Sequence, residues 1–432
     1  MSNLSRRAGL RRGGRRIFES LSLPNYRKYF FGQMVSRMGS WMQRFAQSWL
    51  VYELSHNATI VGVTVALQAL PTLVAGPYAG LVADRLDKRR IMIGLQAMMG
   101  VLSLVLGLLT VTHVVRLWEV FVLAFLLGVN EAFENPARQV FVFEMVGSEQ
   151  LPNAVGLNSV LNNIARAAGP AVGAGLVATV GLGACFLFNA ASFAAVIASL
   201  VMVDTSELFA APLASRARGQ LRDGLSYVRR SPALWVPLVM MTLVGGLAWE
   251  FQTTLPPMAS QVLHGGATAY GLLTAAQGIG AIVGGLVVAG MRRSGARALA
   301  TNAVAFGAAM TLMTVAPNLA TGVAFMVVVG MAATSFSATG NSTVQLNADP
   351  QMRGRVMSLW AVAFQGSTPI GGPVAGFVAH SAGPRAALAM GAAACFAAAG
   401  LGVFATGRRG AARRPVPVDV EVEALAAEEE SR

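Results

Sequence analysis

The feature that most limits what this chain can become is an apolar run of about twenty residues, the length of helix that crosses a bilayer's hydrocarbon core. Such runs recur at 26–54, 59–83, 91–111, 117–135, 155–180, 184–203, 233–256, 269–291, 298–315, 319–346, 356–378 and 385–405. In lipid every backbone polar group must be satisfied within the segment, so each run is expected to be a helix. The predicted fold is an all-α, polytopic membrane protein of twelve transmembrane helices in two six-helix pseudo-repeats. Composition agrees: 54% of the residues are hydrophobic and only 12% charged, outside the range of soluble domains.

The polar stretch from Gly80 to Arg90 sets the sides. It holds Asp84, Arg85, Asp87, Lys88, Arg89 and Arg90 between two apolar runs, so it must turn in water, and its basic excess places that water in the cytoplasm. Counting crossings from there, of 33 Lys and Arg only Arg116 and Arg385 fall on the outer side, and Arg37, Arg44 and Arg166 fall within spans. The net charge of +13 is thus a topology signal and not the footprint of a nucleic-acid partner. His56, His113, His264 and His380 all fall in the outer turns. The chain then divides into a basic cytoplasmic tail (1–25), a six-helix half (26–203), a cytoplasmic connection (204–232), a second six-helix half (233–406) and a tail (407–432) expected to be disordered. The basic tail is a topology anchor or a binder of anionic lipid. No cleavable signal peptide is read, so the first span directs insertion. In the connection, Leu221, Leu225 and Val228 recur at helical spacing, as an interfacial helix requires. Cys185 and Cys395 lie in apolar runs and read as packing residues; no metal or cofactor site follows.

Gly80, Ala83, Asp84, Arg85, Lys88 and Arg89 match the loop signature between the second and third helices of the major facilitator superfamily, which the chain resembles. Val82 stands for the usual Leu and Asp87 for the usual Gly. The resemblance implies that Asp84 holds a cytoplasmic gate against the start of a helix in the other half. Gly169-Pro170-Ala171-Val172-Gly173 in the fifth run recurs as Gly372-Pro373-Val374-Ala375-Gly376 in the eleventh, as parallel repeats would have it. Gly169, Pro170 and Gly173 also resemble the fifth-helix antiporter signature, with Ala174 for its last Gly; physically the small residues permit close helix packing. Trp41-Met42-Gln43-Arg44, Asn135-Pro136-Ala137-Arg138-Gln139, Leu157-Asn158-Ser159, Tyr270-Gly271-Leu272-Leu273 and Arg353-Gly354-Arg355-Val356-Met357-Ser358 are similar to the branch that includes the enterobactin exporter. The likeness covers about residues 20–405 and implies proton-driven export of drugs or siderophores.

Ionisable groups inside a bilayer are costly unless they face protein or water, so they mark a transport path. Gln33, Arg37, Arg44 and Ser48 share one face of the first helix, flanked by Gln43 and Gln47; the stripe either lines a cavity or bonds to a neighbouring helix. Glu131, Glu134 and Arg138 surround Pro136, which is expected to stop the fourth helix; they form a proton site or a charge cluster joining two helices. Asn158, Asn162 and Arg166 share a face of the fifth helix, and depth makes Glu131 the expected partner of Arg166. Glu250, near the outer end of the seventh helix, is an outer-gate proton site or a carboxylate at the membrane edge. Asn341 and Gln365 are further candidates for the substrate path. Glu131, Glu134 and Glu250 are the candidates for proton coupling.

Neither Lys28 nor Lys88 ends a phosphate-binding Gly-x-x-x-x-Gly-Lys loop, so the chain itself is not expected to hydrolyse ATP. No His-Glu-x-x-His or Gly-x-Ser-x-Gly occurs, so no enzyme is expected. The function expected is secondary active transport: export of a drug, siderophore or secondary metabolite across the cytoplasmic membrane by proton antiport and alternating access. The chain is expected to act as a monomer with both termini inside. A proton-coupled importer of a small polar solute is the alternative on the same fold, and a transport-dead receptor a more distant one.

Overall fold

A computed structural model of the chain describes residues 18–85, 87–209, 220–290 and 295–412, with the side chains of 76–85, 220–223, 289 and 406–412 outside that description. Among the described residues every regular element is helical. The helices are α1 Pro24–Ser55, α2 Ala58–Arg85, α3 Lys88–Val111, α4 Leu117–Thr179, α5 Leu182–Val201, α6 Gln220–Arg230, α7 Pro232–Leu247, α8 Phe251–Pro257, α9 Gly266–Gly290, α10 Ala296–Thr314, α11 Leu319–Asn347, α12 Arg353–Gln365, α13 Thr368–Ser381 and α14 Pro384–Ala412. Seven stretches, Lys88–Val111 and Leu319–Asn347 among them, are apolar enough to cross a membrane by themselves. The polar first helix and the charged middle of α4 fall short of that standard, because they carry the groups discussed below. Large apolar side chains stay exposed on the outer faces, such as Val101, Leu104 and Leu108 of α3 and Phe377 of α13, as lipid contact allows.

Four crossings depart from the expected pattern. The fourth and fifth runs form one helix, α4, in two arms that meet at Gly147, whose φ of 67° and ψ of 179° are non-helical. Pro136 does not stop the first arm, contrary to expectation. The helix continues because Phe141, Val142, Met145 and Val146 pack with Tyr26 and Tyr29 in a buried cluster, and tertiary packing outweighs the one backbone bond that proline removes. The seventh crossing breaks between α7 and α8 at Ala248–Glu250 and ends in a π turn, Met258–Val262. The eleventh breaks between α12 and α13 around Gly366. At the far end α14 runs to Ala412, past the expected start of a disordered tail at 407; residues 413–432 and 1–17 lie outside the described set.

One end of the molecule carries three histidines in left-handed turns: His56, His113 and His264 have φ of 49°, 56° and 51°, the conformation that closes a helix. The opposite end carries the basic connections. There Lys28 Nζ donates to Met202 O (3.0 Å) and Arg89 Nε to Leu200 O (2.8 Å), placing positive charge on carbonyls at a helix C-terminus, where it is favourable. Hydrogen bonds from Ser206 hold the exposed Asp204 carboxyl below the usual carboxylate range. The amphipathic helix of the connection is present as α6. It buries Val228, leaves Leu225 exposed, and ties to the second half through Tyr227 Oη, which donates to Asp349 Oδ2 at 2.8 Å; the Leu221 side chain is outside the described set.

The two halves meet along a seam. α2 packs on α13, and the second arm of α4 on α9. Gly62 faces the carbonyl of Gly372, and Gly376 that of Ala58, so closely that a Cβ at either would collide. Gly271 and Gly278 of α9 meet Ala174 and Ala167 of α4 in the same way. Near the histidine end Gln261 Nε2 donates to Tyr52 Oη (3.0 Å) across the seam. Among the described residues no ion pair joins the halves at the basic end.

Candidate functional site

α1 carries the polar stripe, and its neighbours decide what each residue does. Gln33, Arg37 and Arg44 line a cavity together with Gln96 of α3, Glu131 and Glu134 of α4. With its open mouth it encloses about 560 Å³. Gln43 turns the other way: Ser103 Oγ (2.6 Å) and Asn189 Nδ2 (2.5 Å) both donate to its Oε1 in the buried interior. The stripe therefore splits into a cavity face and a structural hydrogen-bonding face.

Two arginine–carboxylate groups stand in this cavity. Arg44 Nη2 pairs with Glu131 Oε1 at 2.6 Å. The same oxygen accepts from Gln68 Nε2 (3.2 Å), and Gln47 Nε2 donates on to Gln68 Oε1 (3.3 Å). One helical turn toward the basic end, Glu134 Oε1 lies 3.5 Å from Arg37 Nη2 and 3.1 Å from Arg138 Nε. Both nitrogens are within ion-pair distance of that carboxylate oxygen. Buried Gln33 leaves Nε2 without a partner. Three arginines thus face two carboxylates, with donors to spare. The expected cluster of Glu131, Glu134 and Arg138 is distributed over these two groups.

The expected contact between Arg166 and Glu131 is not formed. Arg44 holds Glu131, and Arg166 Nη2 donates only to Asn163 Oδ1 (3.1 Å). Depth along a helix was the basis of that expectation, but depth does not fix lateral direction, and Arg166 points into a second cavity. This one, about 540 Å³ with its mouth, lies at the seam between the halves. Its walls are Trp41 and Phe45 of α1, Trp249, Phe251 of α8 and Tyr270 of α9. Phe45 stacks on Tyr270 with ring centroids 4.8 Å apart. Trp41 and Arg44 line both cavities, and the Arg44 guanidinium sits 5.5 Å from the Trp41 ring centroid, a cation–π contact. Gly169 and Gly173 make this possible, since a Cβ on either would strike Trp41, Met42 or Phe45.

Asn162 lines the first cavity and accepts from Trp41 Nε1 at 3.2 Å. Asn158, Asn341 and Gln365 line neither cavity; Asn341 accepts from Gln345 on its own helix (2.5 Å) and Gln365 is exposed. Glu250 is buried at the break before α8, where its carboxylate bonds to Thr368 and lies near Gly372 of α13. It belongs to the seam and not to either cavity. Of the loop signature, Gly80, Asp84 and Arg85 end α2, and their side chains, with the expected gate contact of Asp84, lie outside the described set. Lys88 Nζ is 3.9 Å from Glu144 Oε1, and Arg89 bonds to carbonyls of α5. The aromatic wall was not foreseen, although Trp41, Phe45, Trp49 and Tyr52 recur along α1 at helical spacing and signal it.

A family profile described as transmembrane secretion effector matches residues 17–427. Macrolide efflux protein A of Streptococcus pyogenes is 24% identical over 348 residues, covering 79% of this chain and 85% of that protein. Multidrug efflux pump Tap of Mycolicibacterium fortuitum is 26% identical over 374 residues, 82% of this chain and 89% of that one. The match to the uncharacterised transporter YfiS of Bacillus subtilis, 28% identical, spans about half of each chain, 49% and 51%. Among solved structures, a peptide transporter superposes with a TM-score of 0.72 at 14% identity, covering 89% of this chain and 94% of that one. A bacterial homologue of the iron transporter ferroportin in an inward-facing state gives 0.69 at 13% identity, over 89% and 98%. At such identities these likenesses establish the fold.

Proposed function

The chain belongs to the transmembrane secretion effector family of the major facilitator superfamily, and on that premise we propose that it exports a small molecule across the cytoplasmic membrane in exchange for protons. The observation that carries the proposal is the pair of arginine–carboxylate groups on α1 and α4, set beside an aromatic cavity at the seam of the halves. A polar pocket and an apolar one sharing a wall suit an amphiphilic cargo. The carboxylates of Glu131 and Glu134 serve as proton carriers: a proton on Glu131 loosens its hold on Arg44 and shifts the balance between the two open forms. Glu250, in the seam, is a third proton site. The seam closes at the histidine end, where Gln261 bonds Tyr52 and Gly62 meets Gly372, which supports a cavity open to the cytoplasm. Both termini are inside, the transporter acts as a monomer, and it needs no cofactor and catalyses no covalent step. Macrolide and multidrug efflux among the relatives favours export over import.

The test is accumulation by cells of a cationic dye, an anionic dye and a labelled macrolide. Expression should lower accumulation of at least one of them, an uncoupler should erase the difference, and Glu131→Gln should behave like the uncoupled cell at normal protein level. Accumulation that rises with expression would establish import instead. A difference that survives the uncoupler would remove proton coupling.

A further inference from the structure

The charge balance of the two cavities bears on what they hold. Arg37, Arg44 and Arg138 face only Glu131 and Glu134. Arg166, at the wall of the neighbouring cavity, has no carboxylate within ion-pair distance among the described residues and bonds only to Asn163. Glu250 lies apart, against Thr368 and Gly372. Four cations and two anions therefore stand around a path that crosses the membrane, where an unbalanced charge is costly. The unused donors point the same way. Gln33 is 3% exposed with Nε2 unbonded, and Arg37 Nη2 is buried with only its 3.5 Å ion-pair contact to Glu134; both residues line the first cavity. A buried donor left unmade costs more than a made bond returns. Gln33 Nε2 lacks an acceptor and Gln96 Oε1, on the same wall, a donor; the excess of arginine over carboxylate makes an acceptor carrying negative charge the favourable one. Beyond Trp41 and Arg44 the path becomes aromatic, with Phe45, Trp249, Phe251 and Tyr270, surfaces that suit a flat apolar body.

We propose that the cargo is an amphiphilic organic acid, carried as its anion, with its carboxylate in the cavity of Gln33 and Arg37 and its apolar body against the aromatic rings at the seam. Arg166 offsets the charge from the second cavity. A cationic cargo would meet Arg37, Arg44 and Arg166 on the same path and be repelled. The inference rests on the reading of these cavities as the transport path, and goes beyond it in naming the class of cargo.

Three probes of one shape separate charge from bulk: 1-naphthoate, 1-naphthylmethylammonium and 1-naphthylmethanol. Each is titrated by calorimetry into the purified full-length protein in lipid nanodiscs. Naphthoate should bind at least about tenfold tighter than either of the others, as a charge-assisted hydrogen bond predicts. Gln33→Leu, which keeps every charge, and Arg166→Met, which leaves the first cavity intact, should each weaken naphthoate by about tenfold and leave the alcohol unchanged. Equal or tighter binding of the ammonium or the alcohol overturns the proposal. So does the absence of naphthoate binding at millimolar concentration, or a naphthoate affinity untouched by both substitutions. If naphthoate fails while cells still expel a cationic dye, the anion class falls and export stands. If naphthoate binds as expected while no probe is expelled, the site stands and export falls.

Discussion

Gln43, Gln47 and Gln33 lie on one helix within four turns and have three different fates. Gln43 accepts from Ser103 and Asn189 in the dry interior, Gln47 reaches Glu131 through Gln68, and Gln33 is left with a free donor. Gln43→Leu should leave Asn189 Nδ2 with only its 3.4 Å contact to Ser103 Oγ, while Ser103 donates to Met99 O, at a cost of about 1–3 kcal/mol. It should lower the melting temperature of the protein in detergent, whereas Gln33→Leu, whose Nε2 has no bond to lose, should shift it little; equal shifts would deny the division between structural and cavity faces. Spacing along α1 was enough to place Gln33, Arg37 and Arg44 together. It could not say which way a neighbouring helix turns, so Arg44 and not Arg166 proved to be the partner of Glu131. Aromatic residues on the same helix were passed over because hydrophobic side chains in a membrane span look alike whether they meet lipid or a cavity.

At the scale of elements, hydropathy located the crossings but not their joins. It ended the fourth run at Asn135, where charge rises, and began the fifth at Val155. The residues between are helical because Phe141, Met145 and Val146 find Tyr26 and Tyr29, a tertiary event invisible in a window average. Only Gly147 interrupts, with a backbone geometry that residues bearing a Cβ avoid. The space around it is ordinary, since a Cβ there would stand 3.4 Å from the Phe209 ring, so the conformation alone penalises a replacement. Gly147→Ala should cost about 1–3 kcal/mol. Gly156→Ala, on the helical second arm with nothing nearby, should be neutral or slightly stabilising. Thermal unfolding of both variants tests the contrast, and indistinguishable melting curves would refute the assigned bend. The breaks beside Glu250 and Gly366 were equally unreadable, since glycine, proline and threonine in a membrane helix are tolerated as often as they interrupt it.

For the whole molecule, the twelve-crossing architecture could be read from the repeated runs and from the echo of Gly169–Gly173 in Gly372–Gly376. The seam explains why glycine recurs: Gly62 and Gly372 touch backbone to backbone, which any larger residue forbids. Gly62→Leu should therefore keep the histidine end from closing. Ala379, 1% exposed beside Ala58, serves as the reporter. Ala379→Cys should resist a membrane-impermeant maleimide in the parent and react in the Gly62→Leu background. Cys185 and Cys395 are fully buried and add little signal of their own. Equal labelling in both backgrounds would mean that the seam does not govern access.

The excess of arginine over carboxylate also makes the membrane voltage a participant in the cycle. A potential acts on every charge displaced through it, at about 2.3 kcal/mol per elementary charge per 100 mV. An empty site and a site holding a monoanion differ by one charge, so the field weights their inward-open and outward-open forms differently. In a cell negative inside, the empty site, with more arginines than carboxylates, is drawn inward, and a bound monoanion weakens that pull. If the cargo is an anion, Arg166 therefore strengthens the electrical bias on the empty carrier, which an equal number of arginines and carboxylates would leave neutral.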